Sequence, residues 1–243
     1  MLRATGASVI GPGHLQACTP NQDAMRVGGV RGGWFAAVAD GLGSRELSHI
    51  GSRLAVQQVR LAWSGQPDAG YARDAEETRA SIRRLYQSWL RAIPAAPPGM
   101  YATTLLAASC DADGACCLAQ LGDGLIVYRT AGKFGVLGEA PHGLRSGFGN
   151  ETEALGVTKS FSAWRTDRVA LVEPGDGVML MTDGIADDVR PERLEAFFTH
   201  VLDQAGRRSR RAGRRWLERQ MNAWPTALHS DDKSIALIFL DKR

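Results

Sequence analysis

The chain has 243 residues, 44% of them apolar and 23% charged, and its 29 Lys and Arg against 26 Asp and Glu leave a net charge of +3. At roughly 150 residues per domain this length predicts one or two domains, with one compact domain as the default and enough chain to bury a substantial core. The composition excludes a disordered or collagen-like chain, and so small a charge excess excludes a surface that binds polyanions as a whole.

Cys18, Cys110, Cys116 and Cys117 form no C-x-x-C pair and no zinc-knuckle spacing, which argues against both a secreted disulfide scaffold and a zinc site. The adjacent Cys116 and Cys117 point to opposite faces if they lie in a strand, so they read as packing residues. The amino terminus lacks the apolar core of a signal peptide, and apolar runs such as Ile235 to Leu240 fall far short of the about 18 residues of a membrane span. The expectation is a cytoplasmic protein without membrane contact.

In chain order, residues 4–10 and 24–30 predict short strands around a turn-rich stretch, and Trp34 to Ala39 predicts a buried strand that stops at Asp40-Gly41. Leu47, Ile50, Leu54, Val59 and Leu61 recur at near-helical spacing within a helix expected from Arg45 to Trp63. A second helix is expected from Ala72 to Ile93, before the breaker Pro94 to Gly99. Strand-like runs follow at 102–110, 115–121, 125–130 and 133–137, joined by small Gly-containing turns, as in an antiparallel meander. Residues 139–165 carry four glycines and little periodicity, which predicts an irregular surface flap. Strands are expected again at 168–172 and 178–181, helices at 191–204 and 207–222, and a closing strand at 234–240. Runs of strands interrupted by helical pairs argue for an α+β fold with antiparallel sheets covered by helices.

The dipeptide Asp-Gly occurs five times, at 40, 113, 123, 176 and 183. Asp113 and Asp176 sit where a hairpin turn or a turn before a strand belongs. Asp40, Asp123 and Asp183 each close an apolar run at a strand exit. If the sheets are antiparallel, Asp23 and the pair Asp231-Asp232, each just ahead of a strand, fall on the same rim. Carboxylates gathered on one rim raise one another's pKa unless a cation neutralises them, and an all-oxygen donor set suits Mg²⁺ or Mn²⁺ better than Zn²⁺. Spacing alone leaves two readings open, a metal centre or scattered strand-end turns.

The order and context of these motifs resemble the metal-dependent protein phosphatase 2C family. The resemblance rests on Asn21-Gln22-Asp23-Ala24, the run Val38 to Gly43, Ala102 to Leu105, Leu121-Gly122-Asp123, Thr182-Asp183-Gly184 and the closing Asp231-Asp232, spread over residues 5–240. It implies a four-layer α-β-β-α sandwich of two antiparallel sheets flanked by helical pairs, as a single domain over 1–243. It further implies two Mn²⁺ or Mg²⁺ ions, with a weaker third, and a metal-bridging hydroxide as nucleophile. By the same likeness Asp40 bridges both ions, the Gly41 carbonyl ligates one, and Asp183 and Asp232 complete the other. Asp23 acts mainly through bound water, and Asp123 joins Asp183 around the third ion. Asp40, Asp183 and His14 are then the catalytic candidates.

Three positions depart from the family pattern. Leu42 stands where many members have His, Cys18 stands where many have a phosphate-binding Arg, and Lys233 replaces an Asn. Phosphate capture then falls to His14, Arg26, Arg31 or Arg45; for His14 a capped-turn or buried structural histidine is the slightly better reading than a substrate contact. The implied activity is hydrolysis of phosphoserine or phosphothreonine in a protein substrate, opposing a cognate Ser/Thr kinase. The alternative is a catalytically silent module that binds a phosphoprotein or kinase. Six arginines within 207–215 raise nucleic acid as a third partner, but they spread around a helix and have no aromatic platform, so a solvated helix is the better reading.

Overall fold

The computed structural model describes residues 1–30, 32–64, 75–138 and 152–241. In chain order the elements are β1 (Leu2–Val9), α1 (Pro12–Gln16), β2 (Ala24–Val30), β3 (Gly33–Ala39), α2 (Ser48–Ser64), α3 (Ala75–Ala92), β4 (Leu105–Cys110), β5 (Ala115–Leu121), β6 (Leu125–Thr130) and β7 (Lys133–Val136). They continue with β8 (Arg165–Ala170), β9 (Gly177–Met181), α4 (Asp183–Ala186), α5 (Leu194–Gly206), α6 (Arg210–Asn222) and β10 (Lys233–Leu240).

The strands form two five-stranded antiparallel sheets, ordered β1-β10-β9-β6-β7 and β2-β3-β4-β5-β8. Strand periodicity explains how they stack. Along β3 the side chains of Phe35, Ala37 and Ala39 join the core under α2 and α3, whereas Ala36 and Val38 join the core between the sheets. Along β10, Ile235, Leu237 and Phe239 meet α5 and α6, and Ala236 and Ile238 meet the opposite sheet. A strand buried on both faces reads as a continuous apolar run, which is why these two were legible in sequence. The result is the α+β sandwich with a helical pair on each outer face.

The structure adds and corrects several local features. Residues 102–104 do not belong to β4, because Thr103 instead bridges Gly41 and Leu155. The first strand after the flap runs 165–170, not 168–172, in register with β5. Helix α6 begins at Arg210, not 207, capped by Ser209, and two of the arginines serve packing: Arg208, ahead of the helix, covers the Trp216 ring at 5.1 Å, and Arg210, its first residue, covers Trp34 at 5.2 Å. Cys116 is more than a packing residue, because it is disulfide-bonded to Cys110. The two are register partners across the β4–β5 hairpin with Cα atoms 4.0 Å apart, a cross-strand proximity that sequence spacing alone did not disclose. Residues 139–151 of the predicted flap lie outside the described residues, as does Arg31.

Candidate metal centre

The strand order brings the ends of β3, β5 and β9 and the beginnings of β2 and β10 to one rim. There a cavity of about 430 Å³ is lined by His14, Gln22, Asp40 to Arg45, Asp123, Thr152, Val157, Asp183 and Asp231. Carboxylate oxygens of Asp40, Asp123 and Asp183 lie within 4.8 Å of one another.

Asp40 is fixed through its main chain. Its N–H donates to Thr104 Oγ1 at 3.0 Å, and its carbonyl accepts from Thr103 Oγ1 and from the Thr104 N–H, both at 2.8 Å. No donor reaches its carboxylate among the described residues. Burial above all, and then the charges of Asp23, Asp183, Asp231 and Asp123, hold that carboxyl well above the usual carboxylate range. Asp183 opens α4, and its Oδ1 accepts from the Gly184 N–H at 2.7 Å. Burial, Asp231 and Asp123 raise its pKa to about 6, against the lowering effect of that bond. The Gly after Asp183 is required by close approach: a Cβ there would stand 2.0 Å from the Asp232 carbonyl. Asp123 is exposed and accepts from Thr152 Oγ1 at 3.0 Å, a contact from the described end of the flap.

Asp23 is buried outside this cavity, though its charge reaches Asp40. Thr182 Oγ1 donates to it at 2.8 Å, and burial lifts its pKa to about 8 even though hydrogen bonds from Thr182 and Ser234 lower it. Asp232 is 1% exposed and turned toward backbone: it accepts from the N–H groups of Gly11 at 2.7 Å and Gln22 at 2.6 Å, with His14 Nδ1 2.8 Å away. Its neighbour Asp231 is the member of the pair that faces the cavity and whose charge acts on Asp40 and Asp183. Sequence reasoning put both acids on the rim and gave the ligand role to Asp232 alone, although the doubled Asp was a signal that either could serve. Arg45 and Leu42 line the cavity; Arg26 lies in a separate depression beside Asp23 and Arg53, and the exposed Cys18 lines neither. Lys233 is buried, its ammonium donating to the Asp231 carbonyl at 3.1 Å and lying 5.9 Å from the centre of the Trp224 ring. Burial lowers its pKa against the pull of Asp188, Asp231, Asp23 and Asp232.

The donor set fits a divalent metal: carboxylates converge, and the most buried member facing the cavity has no proton donor to stabilise its charge.

The family model described as protein phosphatase 2C matches residues 10–223. The chain belongs to the protein phosphatase 2C family. No curated protein matches it significantly. Among solved structures it is similar to the catalytic domain of the serine/threonine phosphatase PstP in complex with two manganese ions, at 15% identity over 99% of both chains with a TM-score of 0.64. It is also similar to the S. agalactiae serine/threonine phosphatase, at 19% identity over 99% of this chain and 100% of that one, TM-score 0.66. PppA of Pseudomonas aeruginosa, described as a regulatory component of T6SS, is similar at 16% identity over 98% and 97% of the two chains, TM-score 0.65. At these identities the likeness concerns the fold.

Proposed function

We propose that this member of the family is an active, divalent-metal-dependent phosphatase that hydrolyses phosphoserine and phosphothreonine in a protein substrate opposed by a cognate Ser/Thr kinase. The observation that carries the reading is the convergence of Asp40, Asp123 and Asp183 within 4.8 Å around a cavity, with no donor on the half-buried Asp40 carboxylate among the described residues. Asp40, the Gly41 carbonyl, Asp183 and the pair Asp231-Asp232 would hold two Mn²⁺ or Mg²⁺ ions, with Asp23 nearby and Asp123 beside Asp183 for a further one. When bound, the ions supply Lewis-acid charge on the phosphoryl oxygens and an activated water for in-line attack. The chain's own part is positioning. Thr103 and Thr104 fix the backbone of Asp40, α4 fixes Asp183, and the cavity admits a phosphorylated side chain on an exposed segment.

Hydrolysis of a phosphothreonine peptide and of p-nitrophenyl phosphate with Mn²⁺, Mg²⁺ or EDTA tests this, with Asp183→Asn as the control. Turnover that needs metal and disappears in the variant is the expected result. A folded protein that turns over neither substrate with any metal overturns the reading and leaves a silent phosphoprotein-binding module, for which Cys18, Leu42 and Lys233 stand at departures from the family pattern.

A further inference from the structure

Helix α1 rests directly on the segment before β10. The Gly13 N–H donates to the Ser230 carbonyl at 2.8 Å, and a Cβ on Gly11 would stand 2.2 Å from the backbone of Asp231, so only glycine allows this approach. The contact sets His14 over Asp231 and Asp232. A ring nitrogen of His14 and one carboxylate oxygen of each acid lie within 4.8 Å of one another, a second cluster beside the cavity of Asp40, Asp123 and Asp183.

The His14 nitrogen is the telling atom. Nδ1 is shut off from solvent and makes no hydrogen bond, although Asp232 Oδ2 is only 2.8 Å away. The distance is short enough, so it is the direction that fails. That carboxylate is already engaged by the N–H groups of Gly11 and Gln22. No lysine or arginine head group makes a salt bridge to Asp231 or Asp232 among the described residues; the nearby Lys233 ammonium donates to the Asp231 carbonyl instead. A solvent-shielded ring nitrogen without a hydrogen bond, beside two carboxylates that no lysine or arginine head group meets directly, is a set of metal donors. Two ligands in neighbouring positions around one ion stand about 3 Å apart, close to the spacing seen here.

We propose that His14, through Nδ1, ligates one divalent ion together with Asp231 and Asp232, so that the centre holds one nitrogen-containing position beside the all-oxygen position of Asp40, Asp123 and Asp183. The proposal rests on the metal-dependent reading above and adds to it a choice of metal: an imidazole donor favours a first-row transition ion over Mg²⁺, which takes oxygen ligands.

Pulsed electron paramagnetic resonance on the full chain loaded with Mn²⁺ tests it, because the electron spin reports nitrogen bonded to the ion without reference to turnover. The expected result is a ¹⁴N modulation that becomes ¹⁵N when the histidines are ¹⁵N-labelled and is lost in His14→Gln, with titration calorimetry showing one bound ion fewer. Asp231→Asn, a change at an exposed side chain, is expected to weaken the nitrogen-coupled ion selectively and serves if His14→Gln does not fold. Bound Mn²⁺ without nitrogen coupling in the wild type, or coupling that persists unchanged in both variants, overturns the proposal and leaves the phosphatase reading standing. A wild-type chain that binds no Mn²⁺ overturns both.

Discussion

Asp183→Asn separates the cost of the acidic rim from its use. The substitution keeps the side-chain shape and the Oδ1 that accepts from the Gly184 N–H, and removes a carboxyl whose pKa is raised from 3.8 to about 6. A carboxyl raised on folding contributes stability that is fully present below its unfolded pKa and is lost as pH rises through the folded value. At pH 8 without metal, Asp183 is therefore ionised at the folded state's expense. The shift of about 2 units corresponds to about 3 kcal/mol at ~1.4 kcal/mol per unit, and solvent screening at this partly exposed group trims it to about 1–2 kcal/mol. In EDTA at pH 8 the variant is expected to melt about 2–8 °C above the wild type, by calorimetry or circular dichroism. At pH 4 the two should melt together, apart from any effect that does not titrate. Saturating Mn²⁺ reverses the order, since an ion at 100 times its Kd adds about 2.7 kcal/mol to the wild type and less to a variant short of one ligand. A variant less stable than wild type in EDTA at pH 8, or a difference that does not change with pH, would refute the argument.

Thr182→Val removes the hydroxyl that donates to Asp23 and accepts from the Ser234 N–H, and is expected to cost about 1–3 kcal/mol in urea unfolding. It should also extend the alkaline loss of metal-free stability to higher pH, because that hydroxyl lowers a pKa already near 8. Asp176→Ala strips the acceptor from the N–H groups of Ala131, Gly132, Val172 and Glu173, with an expected cost of about 2–4 kcal/mol and no change in Mn²⁺ stoichiometry by calorimetry. Gly184→Ala forces α4 away from the Asp232 carbonyl, which a Cβ would approach to 2.0 Å, and should weaken Mn²⁺ binding at least about tenfold even where circular dichroism shows the fold retained.

The layers were legible in sequence where one period governs a whole segment. In β3 and β10 both faces are buried, so the runs are apolar throughout, and the helices of each outer pair show one apolar stripe. What was not legible is short or long-range. Helices α1 and α4 span five and four residues, too few for a 3.6-residue period to declare itself, and they hold their places by glycine contacts with the segment before β10, more than forty positions away. The Cys110–Cys116 link depends on register, which a sequence specifies only once the strand pairing is known. The flanking threonines tell the same story: Thr103 and Thr104 look like the start of a strand and instead hold Asp40 in place.

The acidic rim shows what separates a structural carboxylate from a functional one in this fold. Asp176 and Asp232 are both buried, and both are met by backbone N–H groups, four in the first case and two in the second. Such donors satisfy the charge within the protein. Asp40 is also inside, yet its backbone takes every bond and its carboxylate none among the described residues, so its negative charge is unsupported until something positive arrives. The same dipeptide, Asp-Gly, therefore has opposite meanings at 40 and 176, and composition cannot tell them apart because the donors come from distant segments. The adjacent acids before β10 repeat the division one residue apart: Asp232 turns to the amides of Gly11 and Gln22 while Asp231 is left to the cavity. His14 stands beside both acids, with its Nδ1 2.8 Å from Asp232 Oδ2, which is why the nitrogen coupling of a bound Mn²⁺ reads out whether this corner of the rim is part of the metal centre.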